Sequence, residues 1–385
     1  MPARLPDRAD LVVVGAGIVG LAHAVEAVER GLAVAIVERR KQGIGASVRN
    51  FGHGFLSAQS GDALRFARAA KERWRNLADR AGFDFRETGT LLVVRTPEEI
   101  QVIREFAEAN SELARLLTAE EVASIIPLGD GVLGALFTPL DYRIDPRSAV
   151  AAIARWLALR LEATLCFDTS FLAFESGRVR TTRGEIAANA VVIAVGHEVG
   201  ELFPELAADA ALRRCTLQML RVASPHARTI EPTLATGLAL LRYRGFASCP
   251  SVPALRARVE QERPELLEHE VNLLVTQLPG GDLIVGDTHA YSEVSTPFRD
   301  EELDLLILDE AARLLGVESL VVRERWLGVY PHSRANDFLV ASPAPGMRVV
   351  AVTSGIGMTT ALGLAPEVLD EMFEPAPAIV TGTAR

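Results

Sequence analysis

Three glycines, Gly15, Gly17 and Gly20, are spaced GxGxxG directly behind an apolar run at residues 11–14. This spacing is built for a pyrophosphate. The first glycine permits a tight turn, the second lets backbone approach the phosphates, and the third lets helix and strand pack closely. Ile18 and Val19 open the following helix, whose N-terminus offers N–H donors and partial positive charge. Glu38 ends the next apolar run, where an acid accepts from ribose hydroxyls and disfavours a 2′-phosphate. Arg39 and Arg40 follow it. A second glycine turn, Gly355-Ile356-Gly357-Met358-Thr359, lies far downstream. Cations that could hold a small anion are Arg49, Arg143, Arg242, Arg244 and Arg334. Arg242 and Arg244 alternate along a run that reads as a strand, so they share a face. Gln59, Gln218, Tyr243, Tyr330, His53, His289 and His332 are the uncharged or titratable candidates. His23, in the first helix, and His197, beside the Ala194–Gly196 turn, read as structural.

The elements that must position these residues are legible in outline. Residues 11–14 read as a strand buried on both faces, 21–30 as a helix stopped by Gly31, and 33–37 as a second buried strand. That is one complete βαβ unit. Helices are predicted over 62–81 with Asp62 as N-cap, 96–111, 118–126, 145–160 with Asp145 as N-cap and Pro146 at the first position, and 299–315. Residues 88–94 read as a strand, 162–183 as hairpin strands and 190–195 as a buried strand. Residues 213–286 read as strands between turns, with a hairpin at 273–278 and 283–286. A strand at 347–352 leads into the second glycine turn and a helix to about Phe373, and the Ala- and Pro-rich end reads as a loose tail.

Dinucleotide-type elements thus stand at the start, middle and end. The fold class expected is α/β, with a discontinuous Rossmann-type nucleotide domain over residues 1–85, 145–205 and 326–385. A substrate domain with a mainly antiparallel sheet is expected over 86–144 and 206–325.

The 385 residues include 40 basic and 50 acidic side chains, a net charge of −10, which argues against non-specific nucleic-acid binding. Cys166, Cys215 and Cys249 form no CxxC pair, so no zinc or other metal site is expected. The first ten residues carry charges and prolines and no apolar stretch, unlike a signal peptide. No apolar run is long enough for a membrane span, and the cytoplasm is the expected compartment.

The fingerprint alone serves NAD and FAD. The order of Glu38-Arg39-Arg40, the loop Gly45-Ala46-Ser47-Val48-Arg49-Asn50-Phe51-Gly52-His53, Ala194-Val195-Gly196 and the terminal turn decides between them. This order resembles the FAD-dependent D-amino-acid oxidase, glycine oxidase and sarcosine oxidase family over nearly the whole chain. The resemblance implies a non-covalent FAD. Glu38 would bind the adenosine ribose, and Ala46, Ser47, Arg49, Asn50, Phe51 and Gly52 would run along the pyrophosphate and flavin. Ala194 and Gly196 would line the adenine side, and Gly328 with the terminal turn would meet the isoalloxazine. A helix N-terminus at Gly357-Met358-Thr359 would stabilise negative charge on the reduced ring. His53 is expected near the ring as a polar neighbour, not a covalent anchor.

In amino-acid oxidases of this family a Gly-x-Arg-Pro arginine clamps the substrate carboxylate. Here the stretch is Gly328-Val329-Tyr330-Pro331, and a tyrosine cannot make the bidentate charged pair. The substitution counts against a plain α-amino acid. Ser47-Val48-Arg49-Asn50-Phe51-Gly52 and Gly286-Asp287-Thr288-His289 resemble the members associated with aminophosphonate breakdown. That subgroup implies a 2-aminoethylphosphonate-type amine, N-methylated or hydroxylated forms included.

The expected reaction removes a hydride from the carbon beside nitrogen, so the amine must be neutral. An alkylamine has a pKa of about 10.4, and neutralising it at pH 7 costs roughly 4.6 kcal/mol. His53 or His332 is the expected acceptor of that proton, with Tyr330 beside the reacting atoms. The imine would hydrolyse to an aldehyde, and O2 or another acceptor would reoxidise the flavin. The alternatives are a glycine, sarcosine or D-amino-acid oxidase, a flavin subunit of a dehydrogenase complex, and an NAD dehydrogenase.

Overall fold

The computed structural model describes residues 4–373. The first strand, Arg8–Val14, lies between Val34–Val37 and Gly184–Ile193 and runs parallel to both. Its Leu11, Val12 and Val13 have no exposed surface, which is why this stretch is apolar without alternation. Met347–Val352 joins Gly184–Ile193 in parallel from the far end of the chain. One eight-stranded sheet is therefore assembled from distant segments.

The helices Ile18–Glu29, Gly61–Ala81, Pro146–Ala158 and Gly357–Phe373 share one apolar cluster with this sheet, including Leu21, Trp74, Ile153 and Leu362. Gly20 makes the first of these contacts possible, since a Cβ there would stand 2.0 Å from the Gly15 carbonyl oxygen. Trp74 donates from Nε1 to the Met358 carbonyl across 2.8 Å and ties the second helix to the terminal glycine turn.

The second sheet has nine strands. Its long strand Arg213–Val222 pairs with Val322–His332 on one side and with Leu283–Gly286 and Ala290–Ser292 on the other. Pairing is antiparallel except between Thr90–Val94 and Thr233–Thr236. The expected α/β class, with a Rossmann-type sheet and a mainly antiparallel partner, describes this architecture. Val322–His332 runs across the expected 325/326 boundary, because its whole length is paired within the second sheet.

Several local expectations hold. Asp145 accepts from the Arg147 N–H and Pro146 opens that helix. Residues 274–277 and 283–286 pair as antiparallel strands. Others are corrected. The helix expected from Asp62 begins at Gly61 with Ser60 as N-cap, and Asp62 instead pairs with Arg65 in the first turn. Ala163–Cys166 is no hairpin strand; it extends the parallel sheet beside Val34–Val37. The stretch 213–286, read as strands, also contains the helices Val252–Glu262 and Pro264–Glu268, each with proline in its first turn. Arg242 and Arg244 do not alternate on a strand. Arg242 ends the helical turn Ala239–Arg242 and Arg244 begins the turn Arg244–Phe246.

The Ala- and Pro-rich end read as a tail lies outside the described residues, apart from its approach at Phe373. Among the described residues no helix is long and apolar enough to cross a membrane.

Candidate active site

A cavity of about 490 Å³ runs between the two sheets. At one end stand Gly15, Gly17, Ile18, Val19 and Glu38, with Arg39 and Arg40 beside them and Ala194 and Gly196 opposite. The Glu38 carboxylate accepts from the Ala16 N–H at 2.9 Å and the Arg40 N–H at 3.0 Å, so the acid is fixed at the mouth of the turn. Arg39 pairs with Glu198 across this end. Gly15 has φ +105, and a Cβ on it would meet the Ala194 carbonyl oxygen at 2.4 Å. The glycine turn and the Ala194 turn therefore touch through backbone.

The loop after the second strand forms the middle of the wall through Ala46, Ser47, Arg49, Asn50 and Phe51. Its side chains hold the loop in shape. The Ser47 hydroxyl accepts from the Ile18 N–H at 2.9 Å and caps the first helix from outside. Asn50 donates to the Ala46 carbonyl at 2.9 Å and accepts from the Gly52 N–H at 2.7 Å. Gly52, at φ +67, does not line the cavity; it passes so close to Ile144 that a Cβ would stand 1.8 Å from that carbonyl oxygen. Arg49 donates to the Leu327 carbonyl at 3.2 Å and joins the loop to the strand carrying Gly328.

The far end is formed by Gly328, Tyr330 and the turn from Gly355 through Ile356, Gly357 and Met358 to Thr359, facing His53, Gln59, Arg242 and His289. Tyr243, Asn272 and Asp287 complete this wall. Arg242 donates from Nη2 to the Tyr330 hydroxyl at 2.9 Å and from Nη1 to the Tyr291 hydroxyl at 3.4 Å, and Nη1 lies 3.6 Å from Glu270. Burial lowers the guanidinium's pKa, but Tyr330, Tyr291 and Asp287 outweigh it, so the group stays charged. Burial pushes the Tyr243 hydroxyl up to about 12 and Tyr330 well above its usual range. Cys215 faces Tyr330 across the sheet and is pushed up to about 12 by burial.

Asp287 and His289 extend from the segment after Leu283–Gly286. Burial raises the Asp287 carboxyl to about 7, with Arg242 acting the other way. His289 is held neutral by burial, then by Arg242; its Nδ1 donates to the Glu270 carbonyl at 2.8 Å and its Nε2 lies 3.7 Å from Asp287 Oδ2.

The other expected residues divide. His53 lies on the wall with Nε2 on the Thr90 hydroxyl at 2.7 Å, and burial with Arg143 nearby lowers its pKa to about 3. Gln59 lies on the wall and donates to the Phe55 carbonyl at 2.8 Å. Arg143, Gln218, Arg244, Arg334 and His332 do not line the cavity. Arg143 is buried against the Ile230 carbonyl, and Gln218 bonds Asp300 and Asp304. Arg244 is exposed and bonds the Arg334 carbonyl and Asp337. His332 stacks on Tyr291 with ring centres 4.4 Å apart. His23 and His197 are both lowered to about 4, chiefly by burial; His23 bonds the Val19 carbonyl, whereas His197 stands on the cavity wall beside Gly196.

Asp287, Asn272 and Tyr291 were not among the expected site residues. The signal available was the period-two spacing Asp287-x-His289-x-Tyr291, which puts three polar side chains on one side of an extended segment.

The chain is 31% identical over 213 residues to the glycine oxidase of Geobacillus kaustophilus (strain HTA426), a match taking in 50% of this chain and 55% of that protein. It thus spans about half the length of that relative. The structure resembles the L-proline dehydrogenase of P. horikoshii, with TM-score 0.77, 22% identity and 96% and 94% of the two chains covered. It also resembles the glycine oxidase of Bacillus cereus ATCC 14579, with TM-score 0.76, 18% identity and 95% of each chain covered. Those likenesses speak to the fold. The match that identifies the chain spans residues 10–370, nearly all of the described sequence: the protein belongs to the FAD dependent oxidoreductase family, DAO.

Proposed function

We propose that the protein oxidises the C–N bond of a small amine carrying an anionic group, and that this group is a phosphonate. The observation that carries the first part is Arg242, a charged guanidinium on the cavity wall bonded to Tyr330. The cation missing from Gly328-Val329-Tyr330-Pro331 is supplied by another element, so the wall still offers a clamp.

The donor set supports the phosphonate. Arg242 spends one N–H of each Nη on a tyrosine hydroxyl, so its remaining donors stand beside two phenols rather than alone. The Tyr330 and Tyr243 hydroxyl oxygens accept from Arg242 and Asn272; the Tyr243 O–H is left as a donor beside the cation, while Tyr330 also bonds Cys215. Such a spread set suits a tetrahedral group with three acceptor oxygens. A second reading, an amino acid with one carboxylate, is favoured by Arg242 as the one arginine among the described residues lining the Tyr330 end and by the nearby Glu270 and Asp287. The names of the matched glycine oxidase and L-proline dehydrogenase point the same way.

Bound FAD supplies a two-electron hydride acceptor. The cavity fits it: a glycine turn, a fixed acid and a second glycine turn lie along one wall. Gly15, Gly17, Ile18 and Glu38 would hold the nucleotide end, and Met358 and Thr359 the ring end at a helix N-terminus. No covalent bond is proposed, and the three cysteines lie off the cavity wall. The imine product hydrolyses to an aldehyde and ammonia or an amine, and O2 takes the electrons as peroxide.

The test is anaerobic flavin bleaching by 2-aminoethylphosphonate, its N-methyl and 1-hydroxy forms, glycine, sarcosine and D-alanine, followed by peroxide detection in air. Bleaching by the phosphonates alone is the expected result. Bleaching by the carboxylates instead would establish the second reading.

A further inference from the structure

We propose that Asp287 and Asn272 form the amino-group subsite, and that Asp287 Oδ1 takes the proton from the substrate ammonium before hydride leaves. The proposal rests on the amine-oxidation reading above. Asp287 is 4% exposed and Asn272 2%, both line the cavity, and the Oδ1 atom of each has no hydrogen-bond partner. Unpaired buried acceptors are costly, so they are expected to have a use. Two backbone bonds hold the pair side by side: Asn272 N–H to the Asp287 carbonyl at 2.9 Å, and Asp287 N–H to the Asn272 carbonyl at 3.0 Å.

The wall therefore has a donor side and an acceptor side. Arg242, with the Tyr330 and Tyr243 hydroxyls, suits the anion. The two free oxygens suit N–H groups. A zwitterion satisfies both at once, whichever anion it carries.

The surroundings decide where the proton goes. Asp287 faces Arg242 and Tyr243 from one element, His289 from its own segment, and Cys215 and Tyr330 from the paired long strands, with Glu270, Tyr291 and His332 around Arg242 and His289. His289 donates from Nδ1 to a carbonyl, which can only accept, so its Nε2 turns a lone pair toward Asp287. A proton arriving on Asp287 relieves this opposition. His53 is a poor alternative, since its burial keeps it neutral to about pH 3, and His332 lies off the wall. In the step, one N–H bond of the ammonium breaks and one O–H bond forms on Asp287. The electron pair stays on nitrogen and becomes the lone pair that expels hydride.

The experiment follows flavin reduction in the holoenzyme by anaerobic stopped flow from about pH 6 to about pH 10, with the amine that bleaches it best. Wild type should show an acid limb near pH 7, where Asp287 becomes protonated. Asp287→Asn should lose that limb. Its rate should fall roughly a thousand-fold at pH 7 and rise about tenfold per pH unit, following the neutral fraction of an amine with pKa near 10.4. Asp287→Glu should keep an acid limb at a displaced midpoint. Independently of turnover, difference infrared should show a protonated carboxyl band that titrates near pH 7, is absent in Asp287→Asn and changes on amine binding. An Asp287→Asn enzyme that binds FAD and keeps the wild-type rate and profile overturns the subsite. A wild type bleached by no amine overturns the functional reading, and the subsite falls with it.

Discussion

Arg242 and Tyr330 meet through a 2.9 Å hydrogen bond, although 88 residues separate them. Arg242 comes from a helical turn and Tyr330 from the long strand Val322–His332. The bond brings a cation to the wall position where the strand itself supplies a phenol. On the proposed reading, Arg242 is the residue on which anion binding depends. Replacing it with methionine removes the charge but keeps much of the apolar stem. Flavin reduction should then need roughly 10- to 100-fold more anionic amine for half-saturation, the scale of losing charged hydrogen bonds. FAD content should not change. A titration showing unchanged half-saturation would remove Arg242 from substrate binding.

The same bond predicts the fate of Tyr330→Arg, which recreates a Gly-x-Arg-Pro stretch. A second guanidinium would be driven against Arg242 in a buried place. An unpaired buried charge costs about 3–5 kcal/mol, so the variant should melt well below wild type and gain no affinity for glycine or sarcosine. A stable variant with tighter carboxylate binding would show that Arg242 does not serve as the site's cation.

The glycine-turn end of the cavity, the proposed nucleotide end, was legible because local chemistry fixes much of it. Gly20 is demanded by a contact within one βαβ unit, since a Cβ there would meet the Gly15 carbonyl oxygen, and Glu38 closes the same unit. The substrate end depends on contacts between distant segments. The spacing of Arg242 and Arg244 reads as a strand, but Gly245 sits so close to Ala58 that a Cβ would stand 2.6 Å from its carbonyl oxygen, and the Gly245 N–H bonds that oxygen at 3.0 Å. The chain turns there, sending Arg242 to the cavity wall and Arg244 to Asp337. Asp287 stands out in the sequence only as part of Gly286-Asp287-Thr288-His289, whereas its two backbone bonds run to Asn272, which no local pattern pairs with it.

The terminal turn offers a contrast between two glycines. Gly355 has φ +78, and a Cβ there would stand 3.1 Å from the Tyr330 ring. A left-handed conformation costs an L-residue roughly 1–2 kcal/mol before any crowding. At Gly357, the first residue of the last helix, the nearest atom to an added Cβ is 3.9 Å away, and alanine is favoured within helices by roughly 0.5–1 kcal/mol. Thermal melts of the FAD-free proteins should therefore move in opposite directions, down for Gly355→Ala and level or up for Gly357→Ala. Equal shifts would mean that the turn does not press on Tyr330.

Asp287 gives a stability prediction with a definite sign. Burial raises its carboxyl from about 3.8 in the unfolded chain to about 7 in the folded one, partly opposed by Arg242. The folded protein thus holds this proton more tightly than the unfolded chain does. The group's favourable contribution is complete below pH 3.8 and is lost as pH rises through 7. Asp287→Asn carries no such titration. It should be more stable than wild type at pH 8, by an amount of order a few kcal/mol, and the difference should shrink steadily toward pH 4. Thermal melts across that range measure it directly. A constant offset between the two proteins would mean that Asp287 titrates normally, and the acid limb proposed for flavin reduction would need another source. A gain in stability at pH 8 together with a loss of flavin reduction would instead show that the fold tolerates a costly buried carboxylate because the reaction uses it.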